Sequence, residues 1–234
     1  MKLSRDITIK IKFVLDELLP PIIRDSDWFM ELPLKLILGN KSNVFKTFKD
    51  NAPFMTQKQF SDVYEEINAI EARDTDLNNV CIEEILKNIS GKKVLEAGCG
   101  RGLLADKIAQ SHEVIATDIV IDKHLPQKYP RVTFKNADIE KLPFKDNEFD
   151  TIVSTHTLEH VQNIFQAISE LRRVAKKRII LVVPKQRPYK STFDLHIHFF
   201  PYPHSLQAIM GNKNKSICKE VGGDLFYMET KNTP

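Results

Sequence analysis

The sequence predicts an α/β fold: a doubly wound, mostly parallel sheet with an antiparallel hairpin near its C-terminal end. Three observations lead to this prediction. Apolar runs of strand length alternate with helical patterns between residues 92 and 184. The first run continues into the glycine-rich segment VLEAGCGRG, residues 94–102. Two later strand patterns flank Gly222 and Gly223, a pair typical of a two-residue hairpin turn.

The central elements follow one another in strand–helix order. Strands are predicted over KKVLEAG, EVIATD, RVTFKNAD, EFDTIVST and KRIILVVP, and helices over LLADKIAQ, residues 121–129 and VQNIFQAISELRRVA. Right-handed crossovers join such strands into a parallel sheet that has helices on both faces. The hairpin of KSICKEV and DLFYMET adds two strands, so seven are expected.

Residues 1–75 are predicted to form a helical N-terminal extension, and residues 76–234 to form the sheet domain. KFVLDELLPPII has helical spacing that stops at Pro20 and Pro21, and DSDWFMELPLKLILGN is dense in apolar residues. The extension is interpreted either as a lid over a binding site or as plain packing against the sheet. Next to it, DTDLNNVCIEEILKNI predicts an amphipathic helix that has Asp74 or Asp76 as its cap.

Composition excludes several functional classes. The chain has 34 basic and 31 acidic residues and a net charge of +3, which argues against a dedicated nucleic-acid binder. Its three cysteines show no CxxC spacing, so neither a disulfide framework nor a zinc knuckle is expected. No apolar run is long enough to span a membrane. We therefore expect a cytoplasmic monomer or homodimer, and peripheral membrane contact stays open.

The glycines at positions 98, 100 and 102 predict close approach of a ligand to the backbone. In an open α/β sheet, ligands bind at the carboxyl ends of the strands, where this loop and the positive end of the next helix lie. A dinucleotide fingerprint, GxGxxG, would need glycine at position 103, which is Leu103. A tight turn that binds no ligand is the alternative.

Carboxylates accompany three successive strands. Glu96 lies just before the glycines, Asp118 closes the second strand and Asp138 closes the third. A carboxylate at the second position accepts ribose hydroxyls, and one at the third, with its adjacent amide, can bind an adenine edge. Glu96 would repel a diphosphate. The set therefore favours a ligand that combines adenosine with a cationic amine and a sulfonium.

Several of these segments together resemble one known family. VLEAGCGRG, ATD, NADIEKLPFKDNEFDTIVSTHTLEHV and the hairpin are similar to the class I S-adenosylmethionine-dependent methyltransferases, and most of all to the small-molecule group of ubiquinone and menaquinone biosynthesis enzymes. The resemblance covers residues 75–230. It implies a Rossmann-like seven-stranded sheet with a reversed last strand, and S-adenosyl-L-methionine as the cofactor.

The resemblance implies methyl transfer as the activity, and the aromatic lid and the balanced charge favour O- or C-methylation of a small-molecule or lipid- or sugar-linked acceptor. Methylation of RNA or protein is one alternative, and a non-catalytic cofactor-binding or scaffold protein is another. A basic concave face would favour the first alternative.

The resemblance also implies roles for individual residues. The backbone of the three glycines would line the methionine part of the cofactor, Glu96 would hold its amino group, and Asp118 would bind the ribose. Arg73 is expected to pair with the methionine carboxylate. The full cofactor-binding set is Arg73, Glu96, Ala97, Gly98, Cys99, Gly100, Gly102, Asp118, Ile119, Asp138, Ile139 and Thr155.

The segment HTLEH carries the candidate catalytic residues. His156, Glu159 and His160 share one face if the segment opens a helix. Methyl transfer depends mostly on positioning, and it needs a base only where the acceptor is a hydroxyl or an acidic carbon. His156 and His160 have suitable pKa values for that role.

We expect no bound metal, but an alternative places one on His156, Glu159 and His160, completed by His196 or His198. Ubiquinone-pathway O-methyltransferases and small-RNA 2′-O-methyltransferases are similar here, since they carry ExxEH at the matching place. In this chain His156 replaces the first glutamate. A zinc-protease interpretation of HxxEH fails because the segment follows a buried strand.

The aromatic loop HIHFFPYPHSL, residues 196–206, is predicted to wall the acceptor site. Its candidate substrate-binding residues are His198 and Phe199, joined by Trp28 of the extension. An ordinary packed loop with Phe199 and Phe200 in the core is the alternative.

Overall fold

A computed structural model of the chain describes residues 13–68, 75–191, 194–211 and 215–231. Arg73 and Asp74 lie outside the described residues, so the roles predicted for them stay predictions.

A seven-stranded sheet forms the centre of the molecule and confirms the predicted fold. Its strands are β1 (Lys93–Ala97), β2 (Glu113–Asp118), β3 (Val132–Asn136), β4 (Phe149–Thr155), β5 (Ala175–Pro184), β6 (Lys215–Val221) and β7 (Asp224–Thr230). They are ordered β3-β2-β1-β4-β5-β7-β6. Strands β1 to β5 are parallel, whereas β7 runs antiparallel to both β5 and β6. The strand order reverses between β1 and β4, where ligands of such sheets bind.

Helices cover the sheet and build the extension. The extension contains α1 (Pro21–Arg24), α2 (Asp27–Leu38), α3 (Ser42–Asn51) and α4 (Gln57–Asn68), with a π-helical turn at Val14–Leu18 and 3-10 turns at Gly39–Lys41 and Ala52–Phe54. The sheet domain contains α5 (Asn79–Asn88), α6 (Leu103–Ala109), α7 (Leu125–Lys128), α8 (Ile164–Val174) and α9 (Pro203–Met210).

Two helix boundaries bear on the predictions. The helical turn at Val14–Leu18 ends before Pro20, as predicted, and Pro21 begins a separate helix, α1, because the first helical position does not use its backbone N–H. The described cap of α5 is Asn78 rather than Asp76, since the Asn78 Oδ1 accepts a hydrogen bond from the Cys81 N–H at 2.8 Å.

The central strands are buried on both faces. Leu95 of β1 and Ile152 of β4 pack into the hydrophobic cluster on one face. Val94 and Val153, their neighbours in sequence, pack into the cluster on the other face. This alternation is what a sheet covered by helices on both sides requires, and it explains why the strands are continuous apolar runs.

The extension packs over the carboxyl ends of the strands. Phe45 and Phe48 of α3 belong to a third hydrophobic cluster, which also includes Leu195 from the segment after β5. Ile119, the residue after β2, packs against the same cluster. The extension therefore lies beside the edge where the glycine loop ends. No helix in the described parts of the chain has the length and apolar character needed to cross a membrane.

Candidate active site

The three loop glycines have positive φ angles, but they have different reasons to be glycine. The φ values are +80° at Gly98, +50° at Gly100 and +74° at Gly102. A Cβ at Gly98 would lie 2.1 Å from the Thr157 Oγ1, and one at Gly102 would lie 2.9 Å from the Phe134 ring. A Cβ at Gly100 would meet nothing within 4 Å. Packing inside the protein thus explains two of the glycines, and Gly100 faces open space.

Asp118 holds the tip of this loop. Its Oδ2 accepts a hydrogen bond from the Gly100 N–H at 2.8 Å, and its Oδ1 accepts one from the Val120 N–H at 3.3 Å. Burial raises the pKa of Asp118, although these amides oppose the shift. The carboxylate is therefore fixed in direction at the end of β2, and its further lone pairs stay available to a hydroxyl-bearing ligand.

Glu96 is a buried acid beside this carboxylate. Its side chain is 2% exposed, and the backbone of Ala105, in the first turn of α6, hydrogen-bonds to it. The Glu96 Oε2 has no hydrogen-bond partner among the described residues. Burial, reinforced by the charge of Asp118, raises the pKa of Glu96 well above its ordinary value. A ligand that carries an ammonium group would donate a hydrogen bond to the Glu96 Oε2, and its positive charge would lower the raised pKa.

Residues adjacent to these acids contribute backbone rather than side chains. Ala97 and Ile139 have their side chains in the hydrophobic core. Cys99 is buried as well, and burial raises the pKa of its thiol. Thr155 is buried at the end of β4, where its carbonyl accepts the Thr157 hydroxyl at 3.0 Å.

Asp138 is engaged by the extension. Its Oδ1 accepts a hydrogen bond from the Glu140 N–H at 2.8 Å, and its Oδ2 accepts one from the Gln57 Nε2 at 2.5 Å. A cavity of about 220 Å³ opens beside this contact. It is lined by Gln57, Ser61, Ile119, Asn136, Ala137 and Asp138. The first turns of α4 thus form one wall of the space next to β2 and β3.

The HTLEH segment is a turn, so the condition under which His156, Glu159 and His160 would share one helix face is not met. His156 leaves β4 with φ at +51°, and the His160 N–H donates to the Thr157 carbonyl at 2.9 Å. Helix α8 begins only at Ile164. The chain turns here because a residue in the left-handed region cannot start an α-helix.

His156 lies between two carboxylates. Its Nε2 is 3.5 Å from the Asp224 Oδ2, and its Nδ1 is 3.6 Å from the Glu159 Oε1. Burial lowers the pKa of His156, but the contact with Asp224 and the charge of Glu159 outweigh this effect and raise the pKa overall. Because both of its ring nitrogens face protein carboxylates, His156 is a weaker candidate for a catalytic base.

Glu159 is the centre of a second group of polar residues. It is 0% exposed, and burial raises its pKa. The Nε2 atoms of His160 and His196 each lie 3.9 Å from its Oε1. The segment after β5 reaches this position because the N–H groups of Ile197 and His198 donate to the Glu159 carbonyl at 2.7 and 3.0 Å.

The predicted acceptor residues have mixed positions. His198 donates from its Nε2 to the Val161 carbonyl at 2.9 Å, so it fastens the loop, and burial lowers its pKa. Phe199 is half-buried beneath the Lys49 ammonium, 4.8 Å from the ring centre, whereas Phe200 is in the core. Trp28 is 73% exposed on α2, which contradicts its predicted place in an acceptor site. It faces outward because the other side of α2 packs inward.

Sequence reasoning missed the contribution of α4. Gln57, Ser61 and Tyr64 lie four and three residues apart, so they share one helix face. The Tyr64 hydroxyl lies 3.0 Å from the His160 Nδ1. The spacing was visible in the sequence, but a polar helix face is typical of solvent exposure as well as of a binding site.

Comparisons with known proteins agree with this architecture. Residues 95–183 match the family model described as a methyltransferase domain. A Mycolicibacterium smegmatis protein named as a probable S-adenosylmethionine-dependent methyltransferase is 32% identical over 119 residues, 50% of this chain and 46% of that protein. A ubiquinone/menaquinone biosynthesis C-methyltransferase of Coxiella burnetii is 29% identical over 127 residues, 46% of this chain and 50% of its own length.

The solved structures show the same fold. A Pyrococcus horikoshii protein superposes with a TM-score of 0.57 at 16% identity, covering 71% of this chain and 99% of the other. The chain spans about half the length of the curated relatives it matches. Residues 95–183 are thus similar to a methyltransferase domain, and the chain shares its fold with the solved structure.

Proposed function

We propose that the protein transfers a methyl group from S-adenosylmethionine to an oxygen or carbon atom of a small-molecule or lipid- or sugar-linked acceptor. The observation that carries this proposal is the Glu96 carboxyl, which is buried beside Asp118 and has one oxygen without a hydrogen-bond partner among the described residues. A dinucleotide would bring phosphate charges to this acidic pocket and would be repelled. An amino-acid ammonium would be attracted.

The described residues would suit the amino group, the methionine chain, the ribose and the adenine of this cofactor. Glu96 would receive the amino group, the open space over Gly100 would take the methionine chain, and Asp118 would accept the ribose hydroxyls. The adenine would lie against Ile119 and Ala137, where the cavity is. Arg73 stays our candidate for the methionine carboxylate.

The bound cofactor supplies a methyl group on a sulfonium, with a neutral thioether as the leaving group. The chain's own contribution is therefore to align the acceptor and to exclude water. The His160 side chain is 26% exposed whereas His156 is held by two carboxylates, so His160 is the better placed of the two to face an acceptor.

The acceptor class rests on two observations. The Coxiella relative is named as a quinone-biosynthesis C-methyltransferase, and the loop after β5 places Phe199 and Tyr189 near each other, with ring centres 6.3 Å apart. A reducing, cytoplasmic setting is part of the proposal, because none of Cys81, Cys99 and Cys218 forms a disulfide bond within the described residues. We also propose a monomer or homodimer.

Calorimetric titration with S-adenosylmethionine tests the proposal. We expect one cofactor per chain, and at least tenfold weaker binding by Asp118→Ala, since a hydrogen bond to a charged group is worth about 1.5–3 kcal/mol. Asp122→Ala is the matched control. Asp122 is an exposed acid four residues after Asp118, so this variant should bind S-adenosylmethionine as tightly as the intact protein does. An intact protein that binds no cofactor would reject the proposal and favour a scaffold.

A further inference from the structure

Three potential ligand atoms lie together beyond the carboxyl ends of β4 and β5. The Glu159 Oε1 is 3.9 Å from the Nε2 of His160 and 3.9 Å from the Nε2 of His196, and all three ligand atoms lie within 4.8 Å of one another. Glu159 is 0% exposed, and neither carboxylate oxygen has a hydrogen-bond partner in the described residues. A buried carboxylate left in this state is costly, so a ligand is the expected explanation.

The hydrogen bonds of His160 determine which of its nitrogens is available. The His160 Nδ1 lies 3.2 Å from the Leu195 carbonyl and 3.0 Å from the Tyr64 hydroxyl. A carbonyl oxygen only accepts hydrogen bonds, so the Nδ1 carries the proton. The Nε2 then has its lone pair directed into the cluster, toward Glu159.

The second histidine is held in the same tautomer by a different partner. The His196 Nδ1 lies 2.5 Å from the Gln186 Oε1. The orientation of the Gln186 amide is fixed because its Nε2 donates to the Asp194 Oδ2 at 3.3 Å. The oxygen end therefore faces His196 and accepts the Nδ1 proton, which leaves a lone pair on the Nε2 that points at Glu159.

Two histidines that donate one ring N–H to an oxygen and direct the other nitrogen at a carboxylate form the arrangement found around protein-bound metal ions. We propose that Glu159, His160 and His196 bind one divalent transition-metal ion of the zinc class. His156 is not among the ligands: its Nδ1 lies 3.6 Å from the Glu159 Oε1 while its Nε2 faces Asp224. His196, which lies 36 residues after His160 in the sequence, takes the place that the sequence alternative gave to His156.

Binding needs the ligand atoms to contract around the ion, by about half an ångström at the two Glu159 contacts and by up to about 1.4 Å between the two histidine nitrogens, which lie within 4.8 Å of each other. With bonds of about 2.0–2.1 Å around tetrahedral Zn²⁺, neighbouring ligand atoms are about 3.4 Å apart. Two imidazoles and one carboxylate favour zinc or ferrous iron over magnesium, and they leave a fourth position open.

The fourth coordination position of the metal ion indicates the class of acceptor, an inference that rests on the proposed function. It would take the oxygen of a hydroxyl-bearing acceptor, whose proton would pass to solvent. A new O–CH3 bond would form as the S–CH3 bond of the cofactor breaks and the neutral thioether leaves, so the reaction would be an O-methylation. The cluster is close to the cofactor loop, because Thr157, two residues before Glu159, places its hydroxyl 3.4 Å from the Gly98 carbonyl oxygen. A metal-held oxygen would thus be presented beside the glycine loop.

Zinc titration of the full-length, chelator-stripped protein tests the site without any assay of activity. We expect one equivalent of Zn²⁺ to bind, and at least tenfold weaker binding by Glu159→Gln and by His196→Asn. His204→Asn removes an exposed histidine outside the cluster and should leave zinc affinity unchanged. Far-UV circular dichroism establishes that each variant is folded. If either Glu159→Gln or His196→Asn does not fold, the zinc affinity of the other variant tests the site.

Gln186 is a positioning residue, and it gives a second test. Gln186→Leu should weaken zinc binding by about 10- to 100-fold, the usual effect of losing a partner of a ligand histidine. Gln186→Glu should restore much of the affinity, because it keeps an acceptor for the His196 Nδ1 proton. A purely structural role would predict equal losses in both variants.

Failure to bind zinc, or equal zinc affinity in the intact protein, Glu159→Gln and His196→Asn, would overturn the inference. S-adenosylmethionine binding is measured separately, in the presence of chelator and with Asp118→Ala as reference. Cofactor binding without zinc binding rejects the metal site alone. Absence of both rejects the proposed function as well.

Discussion

Two regions at the carboxyl edge of the sheet each bury a glutamate that has an oxygen without a hydrogen-bond partner in the described residues, yet their surroundings differ. Glu96, behind the glycine loop, has a backbone contact from Ala105 and a second acid, Asp118, as its neighbours. Glu159, in the turn after β4, has imidazole nitrogens as its neighbours. An ammonium ion is satisfied by oxygen acceptors alone, whereas imidazole nitrogens beside a carboxylate favour an ion of the zinc class. The groups around a buried carboxylate therefore decide which cation it binds.

The largest expected effect is the loss of stability when alanine replaces a glycine that is packed against other residues, compared with a glycine that faces open space. Gly98→Ala should lower the free energy of unfolding by about 3 kcal/mol, since strain at positive φ adds to overlap with Thr157. Gly100→Ala meets no atom within 4 Å, so it should cost only about 1 kcal/mol while weakening S-adenosylmethionine binding at least tenfold. Urea unfolding and calorimetry measure the two effects. Equal losses of stability would remove the distinction between packing and ligand contact.

A carboxylate at the opposite edge of the sheet sharpens the comparison, because Asp150 is fully partnered. Its Oδ1 accepts a hydrogen bond from the Lys177 Nζ at 2.8 Å, and its Oδ2 accepts bonds from the N–H groups of Lys92 and Lys93 at 2.8 and 3.2 Å. The Lys177 contact, followed by the Lys92 amide, lowers the pKa of Asp150 to about 2.

Because the folded pKa of Asp150 lies below its unfolded value of about 3.9, its contribution to stability is complete above that pH. It is lost as the pH falls through about 2. Asp150→Asn should therefore cost about 2 kcal/mol at pH 7 and progressively less in acid. Urea unfolding at pH 7 and pH 3 measures the difference. A cost that does not change with pH would contradict the assigned pairing.

The opposite pH dependence is expected at Glu96. Its folded pKa is raised, so keeping it ionised destabilises the protein only above its unfolded pKa of about 4.3, and increasingly so as the pH rises. Glu96→Gln keeps an acceptor for the Ala105 N–H, and it should stabilise the cofactor-free protein by about 1 kcal/mol at pH 8. It should bind S-adenosylmethionine more weakly.

The thermal midpoint at pH 8 and a cofactor titration check this pair of effects. Glu113→Gln, at an exposed position that begins β2, is the control and should change neither quantity. A variant that loses both stability and affinity would show that Glu96 is structural.

The sheet was predictable because the strands are distinct apolar runs and the hairpin has a double glycine at its turn. The glycine loop was predictable for the same local reasons. The turn at His156 was not predictable. Its φ of +51° is typical of glycine, and a histidine at that position gives no sign in the sequence that the chain turns there. The choice of Asn78 over Asp76 as a helix cap also depends on the position of the first turn rather than on residue type.

Contacts between distant segments were the least predictable part of the site. His196 reaches Glu159 because two backbone N–H groups after β5 bond to the Glu159 carbonyl, and no pattern in the sequence encodes that docking. Gln57 reaches Asp138 from a helix outside the sheet domain. Both contacts join chain segments that are separated by 37 residues or more, and they depend on tertiary packing.

Parallel titrations of the intact protein with S-adenosylmethionine and with NAD⁺ test the central claim most directly. The acidic pocket of Glu96 and Asp118 predicts one-to-one, micromolar binding of the sulfonium cofactor and no measurable heat with the dinucleotide. Binding of NAD⁺ as tight as that of S-adenosylmethionine would contradict the account, because a diphosphate could then occupy the space beside Glu96 that we assign to an ammonium group.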